Sequence, residues 1–166
     1  MQVRDFMIYN VYTVTPSTTV KELISILEKY RVGGVPVVDE KGLLFGIVSD
    51  GDIVRFLAPD HQKQYFDFAY YFLYVQTDEK YENIIREKMN TKVEHIMVKK
   101  NIKTLSPDDD FETAIQLLSK HHFKKLPVVN GAGRVIGIIS RGDIIHHLSK
   151  QISEPSGDNT CHTESD

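Results

Sequence analysis

Gly46-Ile47-Val48-Ser49-Asp50-Gly51-Asp52-Ile53 returns downstream as Gly137-Ile138-Ile139-Ser140-Arg141-Gly142-Asp143-Ile144. Upstream of both copies, Val35-Pro36-Val37-Val38 returns as Leu126-Pro127-Val128-Val129, and Pro16 matches Pro107. Residues 14–57 align with 105–148 at one constant offset and without a gap, out to Leu57 and Leu148. Farther upstream, Val3 and Met7 match Val93 and Met97 after a one-residue slip. Self-similarity at a fixed offset marks a repeated structural unit. Two units are too few for a solenoid, so the chain reads as a duplicated domain with pseudo-twofold symmetry.

Apolar spacing assigns the elements of each unit. A short strand, Val11–Val14 or Ile102–Leu105, is ended by Pro16 or Pro107. In the helix that follows, Val20, Leu23, Ile24 and Leu27 stand at i, i+3, i+4 and i+7, which makes one buried face. Thr19 and Glu22 have capping-box spacing at its start. Repeat 2 places Phe111, Ala114, Ile115 and Leu118 on the same face, with Asp109 and Glu112 at the cap. Two short strands come next: Val35–Val38 then Leu43–Val48, or Leu126–Val129 then Val135–Ile139. The turns Asp39-Glu40-Lys41-Gly42 and Asn130-Gly131-Ala132-Gly133 reverse the chain between them. A last helix starts near Gly51 or Gly142. The order is β-α-β-β-α, twice, a mixed α/β (α+β) class. Proline cannot donate to a ladder, so Pro36 and Pro127 belong at a strand start or on an edge. Neighbouring backbone groups there are free to meet something else; a plain edge strand fits equally.

The chain has 166 residues, which suits one compact domain or two small ones of roughly 50–60 residues that share a core. A formal charge of −3 argues against a basic nucleic-acid footprint. Cys161 stands alone in a polar stretch, cannot form an internal disulfide, and fits a reducing cytoplasm. MQVRDFMIYN has no signal-peptide run, and no segment reaches the roughly 18 apolar residues of a membrane span. Residues 58–92 interrupt the repeats. They open on Ala58-Pro59-Asp60 and carry Tyr65, Phe66, Phe68, Tyr70, Tyr71, Phe72 and Tyr74. A helix-like run follows, with Tyr81, Ile84, Ile85 and Met89 on one face. Aromatics this dense need burial or a partner. They are expected to form a helical arm packed on its own module or across a dimer; the other reading is a docking surface for a client protein or a membrane-embedded channel. The expected organisation is a first domain 1–57, an arm 58–92, a second domain 93–150 and a flexible polar tail 151–166. The small repeats and the arm leave enough apolar surface to expect a homodimer.

The pattern V-P-V-V-D followed by G-I-V-S-x-G-D-I, present twice in register within residues 3–57 and 93–148, is similar to the CBS (cystathionine-β-synthase-type) domain. The resemblance implies two βαββα units packed sheet to sheet and modules that pair into a flat disk. It also implies clefts between units that take AMP, ADP, ATP or S-adenosylmethionine. The adenine nucleotide is then a regulatory ligand, with no cofactor required.

Ser49-x-x-Asp52 and Ser140-x-x-Asp143 are the first candidates. A serine at a helix mouth can donate to phosphate, where free N–H groups and the helix dipole favour an anion. An aspartate one turn on can accept from a ribose diol. The resemblance implies the same two roles. The spacing is equally that of an ordinary helix cap. Gly51 and Gly142 let a ligand approach the backbone, and an arm tyrosine is a candidate cover for a bound adenine. Lys124 and Lys125 precede Leu126-Pro127 and suit phosphate counter-charges; a solvated loop is the alternative. Repeat 1 has Gly33-Gly34 there, and Asp50 where repeat 2 has Arg141. The two clefts are therefore expected to differ, with the Asp143 side more cationic. Thr13, Gly34, Val35 and Pro36 complete the ligand-binding set in repeat 1, as Leu126, Pro127 and Arg141 do in repeat 2. His121-His122 and His146-His147 are adjacent pairs that point to different helix faces, so no metal site is expected. No nucleophile motif is present, and the symmetric placement of Asp52 and Asp143 argues against an acid/base pair. A nucleotide sensor, a ligand-free dimerisation scaffold regulating a partner enzyme or transporter, and an enzyme remain as classes, in that order.

Overall fold

The computed structural model describes residues 1–58, 78–120 and 124–153. Repeat 1 contains α1 (Val20–Tyr30), β1 (Gly34–Val38), β2 (Leu44–Ser49) and α2 (Asp50–Leu57). A connecting helix α3 (Asp78–Lys88) leads to α4 (Phe111–Ser119), β3 (Lys125–Val129), β4 (Val135–Ser140) and α5 (Arg141–Ser153). A 3-10 turn stands ahead of each repeat, at Val3–Asp5 and Val93–His95. The two hairpins are antiparallel and match residue for residue. Pro36 faces Ile47, Pro127 faces Ile138, and each register shifts at the same step. The turns close as their residues require. Asp39 Oδ1 accepts from Lys41 N and Leu43 N at 2.9 and 2.8 Å, and Asn130 Oδ1 accepts from Ala132 N and Arg134 N at 3.0 and 3.1 Å. Gly42 and Gly133 take φ of 78° and 77°, which glycine adopts without strain.

The strands expected at Val11–Val14 and Ile102–Leu105 shrink to single parallel bridges, Val14 to Val37 and Leu105 to Val128. Proline is the reason. Val14 N donates to Pro36 O at 3.1 Å, and Val38 N donates to Val14 O at 2.9 Å. The next rung of that ladder would need an N–H from Pro36, which has none. Pro127 stops the second bridge in the same way, after Leu105 N donates to Pro127 O at 3.0 Å. Both prolines thus lie mid-strand, facing a truncated neighbour, and not at a strand start.

Helix α1 is capped as its sequence foretells. Glu22 N donates to Thr19 Oγ1 at 3.2 Å, and Thr19 N donates to Glu22 Oε2 at 2.7 Å. The bond from the Thr19 backbone, then that from its hydroxyl, hold the Glu22 carboxyl below the usual range. In α4 the cap is Asp110, whose Oδ1 accepts from Thr113 N at 2.7 Å; Asp109 instead accepts from Ser106 N. At the repeat offset Asp110 falls on Thr19 and Thr113 on Glu22, so the reciprocal carboxylate is missing. The buried face of α4 is also rotated. Ile115 is 39% exposed, and Leu117 packs on the core in its stead.

Two cores form, and each borrows from the other repeat. Val14, Val20, Leu23, Val35, Val37, Val48 and Ile53 are joined by Val93 and Met97. Leu105, Ala114, Leu118, Leu126, Val128, Ile139 and Ile144 are joined by Val3 and Met7. The segment ahead of each repeat therefore fills the core of its neighbour. Backbone bonds hold the exchange: Ile8 and Ile138 bond each other twice at 3.0 Å, and Val98 and Ile47 do so at 2.9 and 3.1 Å. Glycine makes room. A Cβ on Gly46 would stand 2.7 Å from Met97 Sδ and 3.1 Å from Val98 O, and one on Gly137 2.5 Å from Met7 Sδ. The hairpin tips also join, with Leu44 N on Gly133 O and Val135 N on Gly42 O. The one-residue slip between the leading segments lies between Val98 and Leu105, where Asn101 takes φ of 56°; asparagine tolerates that left-handed state.

The helix expected after Thr77 is α3. Its exit is tied down by Met89, which packs on the first core, and by Lys88 Nζ, which donates to Phe56 O at 2.7 Å. Ile84, expected on the apolar face, is exposed. Helix α5 continues through Ser153, past the expected boundary at 150. The aromatic block Tyr65–Tyr74, His121-His122 and residues 154–166 lie outside the described residues. Among the described residues no helix is long and apolar enough to cross a membrane.

Removing side-chain volume from a leading segment should loosen the distant repeat. Val3→Ala should cost about 2 kcal/mol, a fully buried valine less its methyls plus the cavity. Hydrogen exchange should then quicken in β3 and β4 before β1 and β2. Equal loss in both hairpins would contradict the exchange.

Candidate ligand cleft

A cleft of about 470 Å³ opens between the repeats, a size that suits a small-molecule ligand. Repeat 1 contributes Gly33, Gly34 and Ile47, then Ser49, Asp50, Gly51, Asp52 and Arg55 from the β2–α2 junction. Repeat 2 contributes Val98, Asn101, Ile102 and Lys103 from its leading segment, and Lys124, Lys125 and Pro127 from the start of β3.

The junction is tightly organised. Ser49 N and Oγ both donate to Asp52 Oδ2, at 2.8 and 2.7 Å, and Arg55 Nη2 donates to Asp52 Oδ1 at 2.5 Å. The capping reading of Ser-x-x-Asp is therefore realised in the geometry. Asp50 Oδ1 accepts from Gly51 N at 2.6 Å. Gly34 presses on β2, since a Cβ there would stand 3.0 Å from Val48 O. Lys103, Lys124, Lys125 and Arg55 stand against Asp50 and Asp52, an excess of positive charge that suits an anion.

Repeat 2 builds the same junction. Ser140 N and Oγ donate to Asp143 Oδ2 at 2.7 and 2.6 Å, and Asp143 N donates to Ser140 Oγ at 3.3 Å. It lacks the arginine, because His146 falls where repeat 1 has Arg55.

Lys124 and Lys125 stand beside the Ser140 junction: Lys125 pairs with Ser140 across the β3–β4 hairpin, and Arg141 N donates to Lys124 O at 3.4 Å. The same two lysines also line the cleft of Ser49 and Asp52, across the repeat boundary. Arg141 turns away. Its Nε donates to Leu118 O at 3.0 Å and its Nη2 to Lys120 O at 3.1 Å. The last carbonyls of a helix lack intrahelical partners, and α4 takes this guanidinium to satisfy its own. Val35 and Leu126 are buried in the two cores, so they can offer a ligand backbone atoms alone. Pro36 is buried beside the Val14 bridge, and Thr13 is exposed and does not line this cleft. Sequence reading missed Arg55, Asn101, Ile102 and Lys103. The slip in the alignment at Asn101 and the lysines around it were the available signals. No group of His, Cys, Asp and Glu fit for a metal ion occurs among the described residues. His147 packs against Phe6 and Phe111, with ring centroids 5.5 Å from each.

A twice-built βαββα unit, with exchanged leading segments and a cleft at the repeat boundary, defines a paired module. The CBS domain profile matches residues 3–59 and 93–150. The chain belongs to the CBS domain family. It is 32% identical over 139 residues to inosine-5′-monophosphate dehydrogenase of Aquifex aeolicus, covering 84% of this chain and 23% of that enzyme. It is 30% identical over 148 residues to the chloroplastic CBS domain-containing protein CBSX2 of Arabidopsis thaliana, covering 86% and 61%. The solved structure of CBSX2 in complex with AMP aligns with a TM-score of 0.68 at 27% identity, over 91% of this chain and 98% of that one. The CBS domain pair of protein MJ0100, solved with 5′-methylthioadenosine and S-adenosyl-L-methionine, shares the fold at a TM-score of 0.66 and 23% identity, over 91% and 98%.

Arg141→Ala should lower the melting temperature, because two helix-end carbonyls lose their donor. Ligand affinity at the Asp52 cleft should stay within about twofold, since the guanidinium faces away from it. A loss of about tenfold, some 1.4 kcal/mol, would return Arg141 to the cleft.

Proposed function

We propose that the chain is a regulatory module that senses an adenine nucleotide and catalyses no reaction. One observation carries this reading: a carboxylate suited to a ribose, Asp52, faces Lys103, Lys124 and Lys125 from the opposite repeat across a single cleft. Asp52 would accept from the ribose hydroxyls while the lysines take the phosphate. Ile47, Val98, Ile102 and Pro127 supply apolar wall for a base. The AMP complex of CBSX2 supports the choice of AMP as the first ligand to try. Ser140 and Asp143 repeat the ribose-binding arrangement and are proposed to serve a second site. A ligand spanning the cleft ties α2 to β3. Its differential affinity for two placements of the repeats would be the signal passed to a partner.

The ligand-free scaffold is the competing reading. Its support is the closed bonding of Ser49 with Asp52 and of Ser140 with Asp143, which caps each helix without any ligand. Thermal shift separates the two. At a hundredfold excess over the dissociation constant a ligand adds about 2.7 kcal/mol, and each kcal/mol moves the melting point by roughly 2–4 °C at this size. A rise of several degrees is expected with at least one of AMP, ADP, ATP or S-adenosylmethionine. In calorimetry Lys125→Ala should weaken a phosphorylated ligand by roughly tenfold. No shift with any of the four at millimolar concentration would leave the scaffold.

The module is also proposed to act as a homodimer. Val54 and Ile145 occupy equivalent places on α2 and α5 and are 67% and 65% exposed, so both repeats present apolar side chains on the same helix face. Light scattering during gel filtration should give twice the chain mass at micromolar concentration; a monomer mass throughout would reject the dimer.

A further inference from the structure

The two strand-to-helix junctions differ at one side chain that touches the carboxylate. Asp52 Oδ2 is engaged by two donors from Ser49, which leaves Oδ1 as the oxygen for a diol. Arg55 Nη2 sits on that oxygen at 2.5 Å. Asp52 is 10% exposed and Arg55 72%, so the arginine covers the carboxylate from the solvent side. Its guanidinium also lies over Gly51, where a Cβ would meet Nη1 at 3.3 Å and Nη2 at 3.7 Å. In repeat 2 the equivalent residue is His146, and Asp143 Oδ1 has no hydrogen bond among the described residues.

We propose that Arg55 is a charge-selective latch, which makes the Asp52 cleft a site for 5′-phosphorylated nucleosides and sets it against neutral nucleosides and sulfonium ligands. The proposal rests on the nucleotide reading above. A neutral nucleoside has to compete with the ion pair on Oδ1 and offers the guanidinium nothing in exchange. A sulfonium adds a positive charge to a cleft that already holds Lys103, Lys124 and Lys125. A phosphate gives the planar fork of Arg55 a second anion to bond. Moving from Asp52 to the phosphate, Arg55 opens the carboxylate to the ribose and joins the lysines on the anion in one step. The Asp143 junction has no such arginine and so lacks the latch, although Lys125 pairs with Ser140 beside it.

The test is a titration of the full chain with AMP and with adenosine, followed at the backbone amide resonances of Gly34 and Gly51, in wild type and Arg55→Ala. Wild type should prefer AMP by at least about tenfold. Arg55→Ala should narrow that preference from both sides, weakening AMP and tightening adenosine. Arg55→Gln keeps the stem of the side chain and should behave alike if the alanine variant folds poorly. An unchanged preference in both variants overturns the latch. Weaker AMP with unaltered adenosine also overturns it, because Arg55 would then be a plain phosphate ligand. In both cases nucleotide sensing survives. Failure of AMP to move either resonance in wild type removes the latch, and the sensing reading falls with it only if ADP, ATP and S-adenosylmethionine also give no thermal shift.

Discussion

Val93 and Met97 are buried in a core whose other buried members all belong to the first repeat, and Val3 and Met7 do the same for the second. That exchange is the constraint from which the remaining architecture follows. A unit of this size buries too little apolar surface to be stable alone, and here neither repeat closes its core without the other. The exchange also dictates glycine at Gly46 and Gly137, where any Cβ would strike the inserted methionine. Overpacking a filled core is destabilising even when the added group is small. Gly46 and Gly137 are therefore packing residues, distinct from Gly51 and Gly142 at the strand-to-helix junctions.

The same exchange builds the cleft. Val98 pairs with Ile47 across the boundary and draws Asn101, Ile102 and Lys103 to the first repeat's strand-to-helix junction. Lys124 and Lys125 arrive from the other side. A carboxylate and the lysines that complement it are thus held on different repeats. Any ligand that needs both must bridge them, which gives the module a physical route from occupancy to a change in how the repeats sit together.

Ser49 and Asp52 show how one motif can serve two ends. Their mutual hydrogen bonds cap α2, and the same bonds fix the carboxylate at the mouth of the cleft. Capping and binding are compatible because a carboxylate has more acceptor sites than the cap uses. Pro36 and Pro127 act in a similar double way. Each ends a ladder by lacking an N–H and so limits the preceding segment to one bridge.

The duplication, the hairpins with their Asp39 and Asn130 turns, the Thr19 cap and the two Ser-x-x-Asp junctions were all legible in the residue order, because each rests on contacts between residues near in sequence. The cap of α4 was misread by one position, at Asp109 in place of Asp110, and Ile115 was assigned to a face it does not share. Both are local details that a neighbouring side chain can shift without changing the fold. The cross-repeat neighbours of Lys124 and Lys125 and the partners of Arg141 were not legible. Alignment of the repeats put all three beside Asp143; the fold keeps Lys125 paired with Ser140 but also brings both lysines to the cleft of Asp52, and it sends Arg141 to the carbonyls of Leu118 and Lys120. A repeat alignment pairs residues by their place within a unit, but a cleft between two units is lined by residues from both. Sequence by itself determined the two units and their capped junctions. Only the tertiary structure decided which side chains face one another across them, because that depends on the exchange of Val3 and Met7 for Val93 and Met97, a long-range packing choice with no local signature.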